Sequence, residues 1–527
     1  MTRNDCQGPS NGEAPSTAPE ETPLLAPHPN LGPSSDPVEL ERRRELLRPR
    51  VLILCMVIVF LLELGSGMAV APTISIMERI ICRQMQGHGT GLFDDCDLKA
   101  NPVQDYLAML LGWQLTFESI PGLLCAVPYG ILSDRWGRRP VFLLGVIGEC
   151  LNTIYTCLIL AFPDIFPLWT VWFAWVFTLI GGGGQLIVAM LYTFVSDVTP
   201  VADRATAFFR IMTVFLISQM VAAPLAGLLM IRSDWIPLTL SLGATALCTP
   251  AGLALPETLH LHASRGRGRR REGTSVTQTG DGSDADDEEE DDDTRLSKLS
   301  STRRLWHKAR EGLAEMWAFV VGNKSISFLM LSLIFVVLGK LVQDMLLQYA
   351  TKRYGWSYSK ASFLFTARSV ASLVTLILVL PGASWFCFNR LAMSGVAKDI
   401  SLARLSGLVQ IVGCLLIAVA ANGYVLAAGL IWLSLGSGMS SLVRSLMNAL
   451  VEEHHVGTVN TMVSFMETAG AMIAGPLLAK SWSIGMHLGG FWIGLPFFTA
   501  GLFFTTATAI LFMFRLPAGR RSSTRVT

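Results

Sequence analysis

The feature that most constrains this chain is a recurring run of about twenty apolar residues, the length at which a helix crosses a bilayer core. The runs fall near 51–70, 107–129, 141–160, a stretch around Gly181 to Gly184, 205–231 and 236–255. After a polar gap, six more lie near 325–348, 361–380, 402–421, 424–445, 460–479 and 488–514. In hydrocarbon no water satisfies a backbone amide, so segments of this kind fold as helices. The expectation is an all-α membrane protein with twelve transmembrane helices. Only 15% of the residues are charged, against about 25% in soluble domains, which fits lipid as the solvent.

Charge sets the topology. Arg42, Arg43, Arg44, Arg48 and Arg50 precede the first run, and Arg515, Arg520, Arg521 and Arg525 follow the last. Positive residues stay on the cytoplasmic side, so both ends are cytoplasmic, as an even number of crossings requires. One loop disagrees: Lys352, Arg353 and Lys360 lie between spans 7 and 8, on the expected outer side. The chain divides into a disordered tail (1–50), a first six-helix bundle (51–255), a disordered linker (256–324), a second bundle (325–514) and a short tail (515–527). The linker carries a basic block at 265–271 and an acidic block at 281–293, and blocks of like charge repel themselves. Its stretch from Trp306 to Phe319 is a candidate amphipathic helix on the membrane surface. The net charge of +1 points to no nucleic-acid partner.

The polar turn Gly130-Ile-Leu-Ser-Asp134-Arg135-Trp-Gly137-Arg138-Arg139 sits between spans 2 and 3. Gly130 removes a side chain where helices pack closely, and Asp134 can accept from amides at a helix start or pair with an arginine. Gly137 permits the reversal. This pattern resembles the signature of the major facilitator superfamily. Asp197 to Arg204 resembles that family's charged turn between spans 4 and 5, and Pro256-Glu257-Thr258 resembles its ending of span 6. The Ala223-Pro224-Leu225-Ala226-Gly227 stretch resembles a degraded antiporter motif of span 5, and Ala474-Gly475-Pro476 echoes it in span 11. The loop at Arg353-Tyr-Gly-Trp-Ser357 is similar to that of fungal drug and metabolite exporters. The resemblance implies two pseudo-symmetric six-helix bundles rocking about a midplane site. It assigns gating to Gly130, Asp134, Arg135, Gly137, Arg138, Arg139, Asp197 and Arg204.

Ionisable residues inside spans cost about 2.5 to 3.5 kcal/mol even on gentle scales, so they mark function or internal pairing. Glu63, Glu118, Glu149, Lys340, Asp344, Arg368 and Glu467 are such residues. Gln114 and Glu118 share a helix face, as do Lys340, Asp344 and Gln348, and Asn460, Ser464 and Glu467. A central cavity lined by Glu63, Gln114, Glu118, Asp344, Arg368 and Glu467 would couple protons to a small-molecule substrate. The other reading for Lys340, Asp344 and Arg368 is structural ion pairing. Trp113, Phe117, Phe363, Phe365 and Phe465 are candidates for substrate contact or for packing, and Arg210 and Arg444 for snorkelling or bracing a gate.

No nucleophile elbow, phosphate loop or metal-ligand spacing is present, so no enzyme, cofactor or metal is expected. Cys82 and Cys96 lie in the first long polar loop and could bond if it faces outside, or remain free. The expected protein is a monomeric proton-coupled exporter of a small organic compound, in the plasma membrane. Proton-coupled nutrient import and a non-transporting sensor are the alternatives. An acidic dileucine pattern from Glu20 to Leu25 leaves a vacuolar or endosomal membrane open.

Overall fold

The computed structural model describes residues 37–85, 97–200, 203–258, 322–451 and 456–514. Among them, twelve helices are long and apolar enough to cross a membrane. In the first half these are α1 (Pro37–Met85), α2 (Asn101–Trp136), α3 (Arg138–Ala161), α4 (Leu168–Val198), α5 (Arg204–Met230) and α6 (Trp235–Leu253). In the second they are α7 (Ser325–Tyr354), α8 (Tyr358–Asn389), α9 (Gly395–Ala418), α10 (Gly423–Leu450), α11 (Val456–Leu488) and α12 (Gly490–Met513). Helices of each half pack on one another: α1 on α5 and α6, α3 on α4 and α6, α7 on α12, and α9 on α10 and α12. Each half is a bundle, and the two bundles meet along α2 with α11 and along α5 with α8.

Both seams are made of glycine. A Cβ at Gly475 would stand 2.1 Å from the carbonyl oxygen of Gly112, and one at Gly112 would stand 2.7 Å from that of Gly475. At the other seam a Cβ on Gly227 would stand 2.7 Å from the carbonyl oxygen of Ser359. Small residues let helix backbones approach in lipid, where packing replaces the hydrophobic drive. Thr116 Oγ1 donates to Met472 O at 2.8 Å across the first seam, and Ser359 Oγ to Gly227 O at 2.6 Å across the second. The fifth span of each half, α5 and α11, therefore carries a glycine at a seam with the other half.

Several local expectations change. Helix α1 begins at Pro37, inside the expected tail, and runs to Met85, so Glu78, Arg79 and Cys82 are helical rather than in a loop. Cys82 is disulfide-bonded, and Cys96 lies outside the described residues. The glycines of span 4 do not sit in a continuous helix. Gly181, Gly182 and Gly183 have φ of 99°, 81° and 74°, a left-handed break. It separates the short turns Leu168–Phe173 and Trp175–Thr178 from the helix Gly183–Val198. Here α3 comes so close that a Cβ on Gly148 would stand 2.2 Å from Ile180 O. Within α7 the cavity-side stretch Leu341–Met345 tightens into a 3₁₀ turn, and α8 contains a π turn at Thr375–Val379. Such departures from α geometry often accompany functional positions. The tail before residue 37, the linker blocks, the Trp306 to Phe319 stretch and the dileucine pattern lie outside the described residues.

Candidate transport site

Between the two bundles lies a cavity of about 530 Å³, within the range of drug-sized ligand sites. Its first-half wall carries Glu63 from α1, Gln114 and Glu118 from α2, Glu149 and Asn152 from α3, Gln219 from α5, and Ser241 and Thr245 from α6. Its second-half wall carries Asp344 and Gln348 from α7 and Phe365 and Arg368 from α8. Five of the six residues expected there thus converge. Glu467 does not: it lines an adjoining pocket of about 260 Å³ with Lys340, Asp344 and Arg368, and Arg444 holds it at 2.9 Å. Arg444 therefore braces α10 against α11 instead of reaching for lipid headgroups. Asn460 also turns away, donating from Nδ2 to Asn448 Oδ1 at 3.1 Å.

Neutral amides hold two of the acids. Gln114 Nε2 donates to Glu118 Oε1 at 2.7 Å, and Gln219 Nε2 reaches Glu63 Oε2 at 3.4 Å. Glu118 has Glu149 and Asp344 as its charged neighbours. Among the described residues no cation pairs with Glu63, Glu118 or Glu149, and no first-half lysine or arginine lines the cavity. Of the aromatic candidates only Phe365 is on the wall, with the Arg368 guanidinium 5.3 Å from its ring centre. Trp113 and Phe117 stack on each other, centroids 5.9 Å apart, away from the cavity.

The signature turn forms a second cluster, at what is called here the signature end. Arg138 is almost fully buried, with its Nε 3.7 Å from Asp197 Oδ2 and its Nη1 donating to Ser133 Oγ at 2.8 Å. Thr258 Oγ1 donates to Asp197 Oδ2 at 2.8 Å. The amides that open α3 have an unexpected partner. Arg138 N and Arg139 N donate to Glu257 Oε1 and Oε2 at 2.9 and 3.1 Å. A carboxylate there meets both orphan amides and the positive end of the helix dipole. The accepting role expected of Asp134 thus belongs to Glu257, and the side chain of Asp134 lies outside the described residues. Gly137 has φ of 111°, and a Cβ would stand 2.5 Å from Glu257 Oε2, so only glycine fits under the cap. Gly130 plays no packing role, since nothing lies within 4 Å of where its Cβ would be. Arg204 Nη2 donates to Ser196 O at 3.0 Å, closing the end of α4, while Arg135 is exposed.

The profile of the Major Facilitator Superfamily matches residues 104–475, most of the chain. The chain belongs to the major facilitator superfamily. It is therefore a transmembrane transporter of small molecules and not an enzyme. Among relatives of this superfamily it is 29% identical to the MFS efflux pump atnC of Emericella nidulans over 508 residues, 94% of this chain and 93% of that one. It is 31% identical to the efflux pump ustT of Aspergillus flavus, over 81% of each chain. Solved structures agree on the fold. The nucleoside transporter NupG superposes with a TM-score of 0.59 at 12% identity, covering 89% of this chain and all of that one. The xylose transporter XylE of E. coli, in a partially occluded inward-open conformation, gives 0.56 at 13% identity over 90% and 99%.

This superfamily member is closed at the end opposite the signature. Glu78, deeply buried on α1, accepts from Lys99 Nζ at 2.7 Å, from Gln104 Nε2, and from Tyr358 Oη of the second half at 3.1 Å. Lys352 of α7 crosses to Lys99 O and to Asn101 Oδ1, the latter at 2.8 Å. His487 of α11 sits 2.8 Å from Asp105 of α2. Arg353 donates to Ala420 O at 3.2 Å and to Gly490 O, and Lys360 lies 4.7 Å over the Trp356 ring. The cations that contradict the charge rule are thus bonded across or within the closed end.

Helical spacing also carries a signal for wall residues beyond those expected to line the cavity. Glu149, Asn152, Thr153 and Thr156 form one polar stripe on α3, and Ser241 and Thr245 another on α6. Gln219 is a lone amide in an apolar span and carries no such pattern.

Proposed function

We propose that this transporter is a proton-coupled exporter of a small amphipathic organic compound, working by alternating access. The observation that carries the reading is the first-half wall, where Glu63, Glu118 and Glu149 face a shared cavity with amides but, among the described residues, no cation beside them. A proton bound at one of these acids would compete with substrate. One pH unit is worth about 1.4 kcal/mol and 100 mV about 2.3 kcal/mol per charge. One proton per neutral solute then sustains a gradient of roughly several hundred-fold. The outward direction is supported by the likeness to two efflux pumps, over 94% and 81% of the chain.

The reading extends to Glu63, Gln114, Glu118, Asp344 and Arg368 as coupling groups and to the signature-end residues as gating groups, to a plasma-membrane location, and to a monomer with bundles at 51–255 and 325–514. Cells preloaded with a candidate compound should lose it faster with the protein, and an uncoupler should abolish the difference. Glu63→Gln and Glu118→Gln should each slow pH-driven efflux about tenfold with protein abundance unchanged. Undiminished efflux in both variants would remove these acids from the mechanism. Fluorescence microscopy of a tagged chain and light scattering of the purified protein check membrane and oligomeric state.

A further inference from the structure

The charges around the cavity are not distributed evenly between the two bundles. On the first-half wall the ionisable groups are Glu63, Glu118 and Glu149, all acidic. On the second half, the cavity and the adjoining pocket hold Lys340, Asp344, Arg368 and Glu467. Arg444 already holds Glu467 at 2.9 Å. Lys340 has Glu467 and Asp344 as its acidic neighbours and Arg368 has Asp344, and among the described residues neither Lys340 nor Arg368 makes an ion pair or a hydrogen bond. A second observation points the same way. Gln348 is 1% exposed, lines the cavity from the same helix as Asp344, and its Nε2 donor has no partner. A buried donor left unmet costs free energy unless something else meets it. One wall therefore offers carboxylates without a cation, and the other adds to its carboxylates the donors of Arg368 and Gln348, which have no hydrogen-bond partner among the described residues.

We infer that the cavity takes a zwitterionic solute, with an amine held toward Glu63, Glu118 and Glu149 and a carboxylate held toward Arg368 and Gln348. A simple cation would leave the second wall unsatisfied, and a simple anion would meet three carboxylates on the first. Arg368 is the specificity-determining residue of the arrangement, because its guanidinium offers paired donors to a carboxylate. The apolar body of the solute lies between the walls, against Phe365 and Leu341. A ligand whose opposite ends engage opposite bundles also gives the two halves a reason to close around it. This inference rests on the central cavity being the transport site, but not on protons being the coupling ion.

The test uses the full chain in lipid nanodiscs, without a gradient, and three matched probes. These are the dipeptide phenylalanyl-phenylalanine, its methyl ester and its N-acetyl derivative, which are zwitterion, cation and anion of nearly one shape. Saturable thermal stabilisation is read for each. The dipeptide should bind at least tenfold tighter than either derivative. Arg368→Gln should remove the dipeptide's advantage over the ester. Arg368→Lys, which keeps the charge, should retain part of the preference and shows that the site still folds. Glu118→Gln should narrow the gap between dipeptide and N-acetyl form. An ester that binds as tightly as the dipeptide overturns the inference in favour of a cation site. A preference for the N-acetyl form, or no saturable binding by any of the three, overturns it as well. Efflux insensitive to an uncoupler would defeat proton coupling while leaving this binding order intact.

Discussion

At the signature end, Glu257, Arg138, Asp197 and Thr258 tie the first bundle to itself, whereas at the opposite end Lys352, Tyr358 and His487 reach from one bundle to the other. The contrast separates what must survive a rocking motion from what must break during it. A bond inside a bundle travels with it and costs nothing when the halves tilt. A bond between bundles has to be surrendered before that end can open. The closed end is also more than a lid of apolar side chains. It contains a buried carboxylate, Glu78, which keeps Lys99 and Gln104 of its own half on opening but must exchange Tyr358 of the other half for water. The Gly227–Ser359 seam lies at the closed end, beside Tyr358, whereas the Gly112–Gly475 seam lies within the helices between the two ends.

Breaking the self-tied end should have the largest effect. Asp197→Asn removes the buried carboxylate 3.7 Å from Arg138 Nε, and removing one partner of a buried ion pair costs about 3 to 5 kcal/mol. The purified variant should show a much lower thermal midpoint. A midpoint equal to the parent would mean that the cluster contributes no stability. Gly475→Ala should come next. Its new methyl group would meet the carbonyl of Gly112, and overpacking costs about 1 to 3 kcal/mol, here by parting α2 from α11. Transport should fall several-fold, and crosslinking between cysteines placed on the two helices should weaken; unchanged crosslinking would show that the seam has slack. The smallest effects belong to the closed end. Tyr358→Phe and Lys352→Ala each remove hydrogen bonds worth about 1 kcal/mol, so the open fraction should rise roughly fivefold. Cys157 lines the cavity, and its labelling by an impermeant maleimide added from that side reports the change. Equal labelling in the parent and both variants would show that these cross-bundle bonds do not hold the end shut.

The twelve spans were legible because length and apolarity suffice to specify a helix in lipid, and the fold followed from the signature. The wall acids were legible in part, because residues four apart on a helix share a face. Convergence was not, since it depends on how helices rotate against each other. Glu467 obeys the same spacing rule as Glu118, yet Arg444 draws it into a side pocket. The cap on α3 was out of reach for a different reason. Its acceptor, Glu257, lies 119 residues along the chain from Arg138, while Asp134 lies four away and has the right chemistry. The glycines of span 4 are equally suited to close packing and to a helix break, and only their backbone angles decide. Lys352 and Arg353 misled the charge count because that rule assumes cations free in water, and these two are committed to carbonyls.

The placement of Glu257 bears on how the protein is made. Its third helix is synthesised well before the residue that finishes its first turn, and the amides of Arg138 and Arg139 must wait for the ribosome to pass Thr258. The first bundle is thus sewn shut by its own last stitch, at the point where the connecting segment leaves it. A fragment ending at residue 255 would have all six helices and lack the knot.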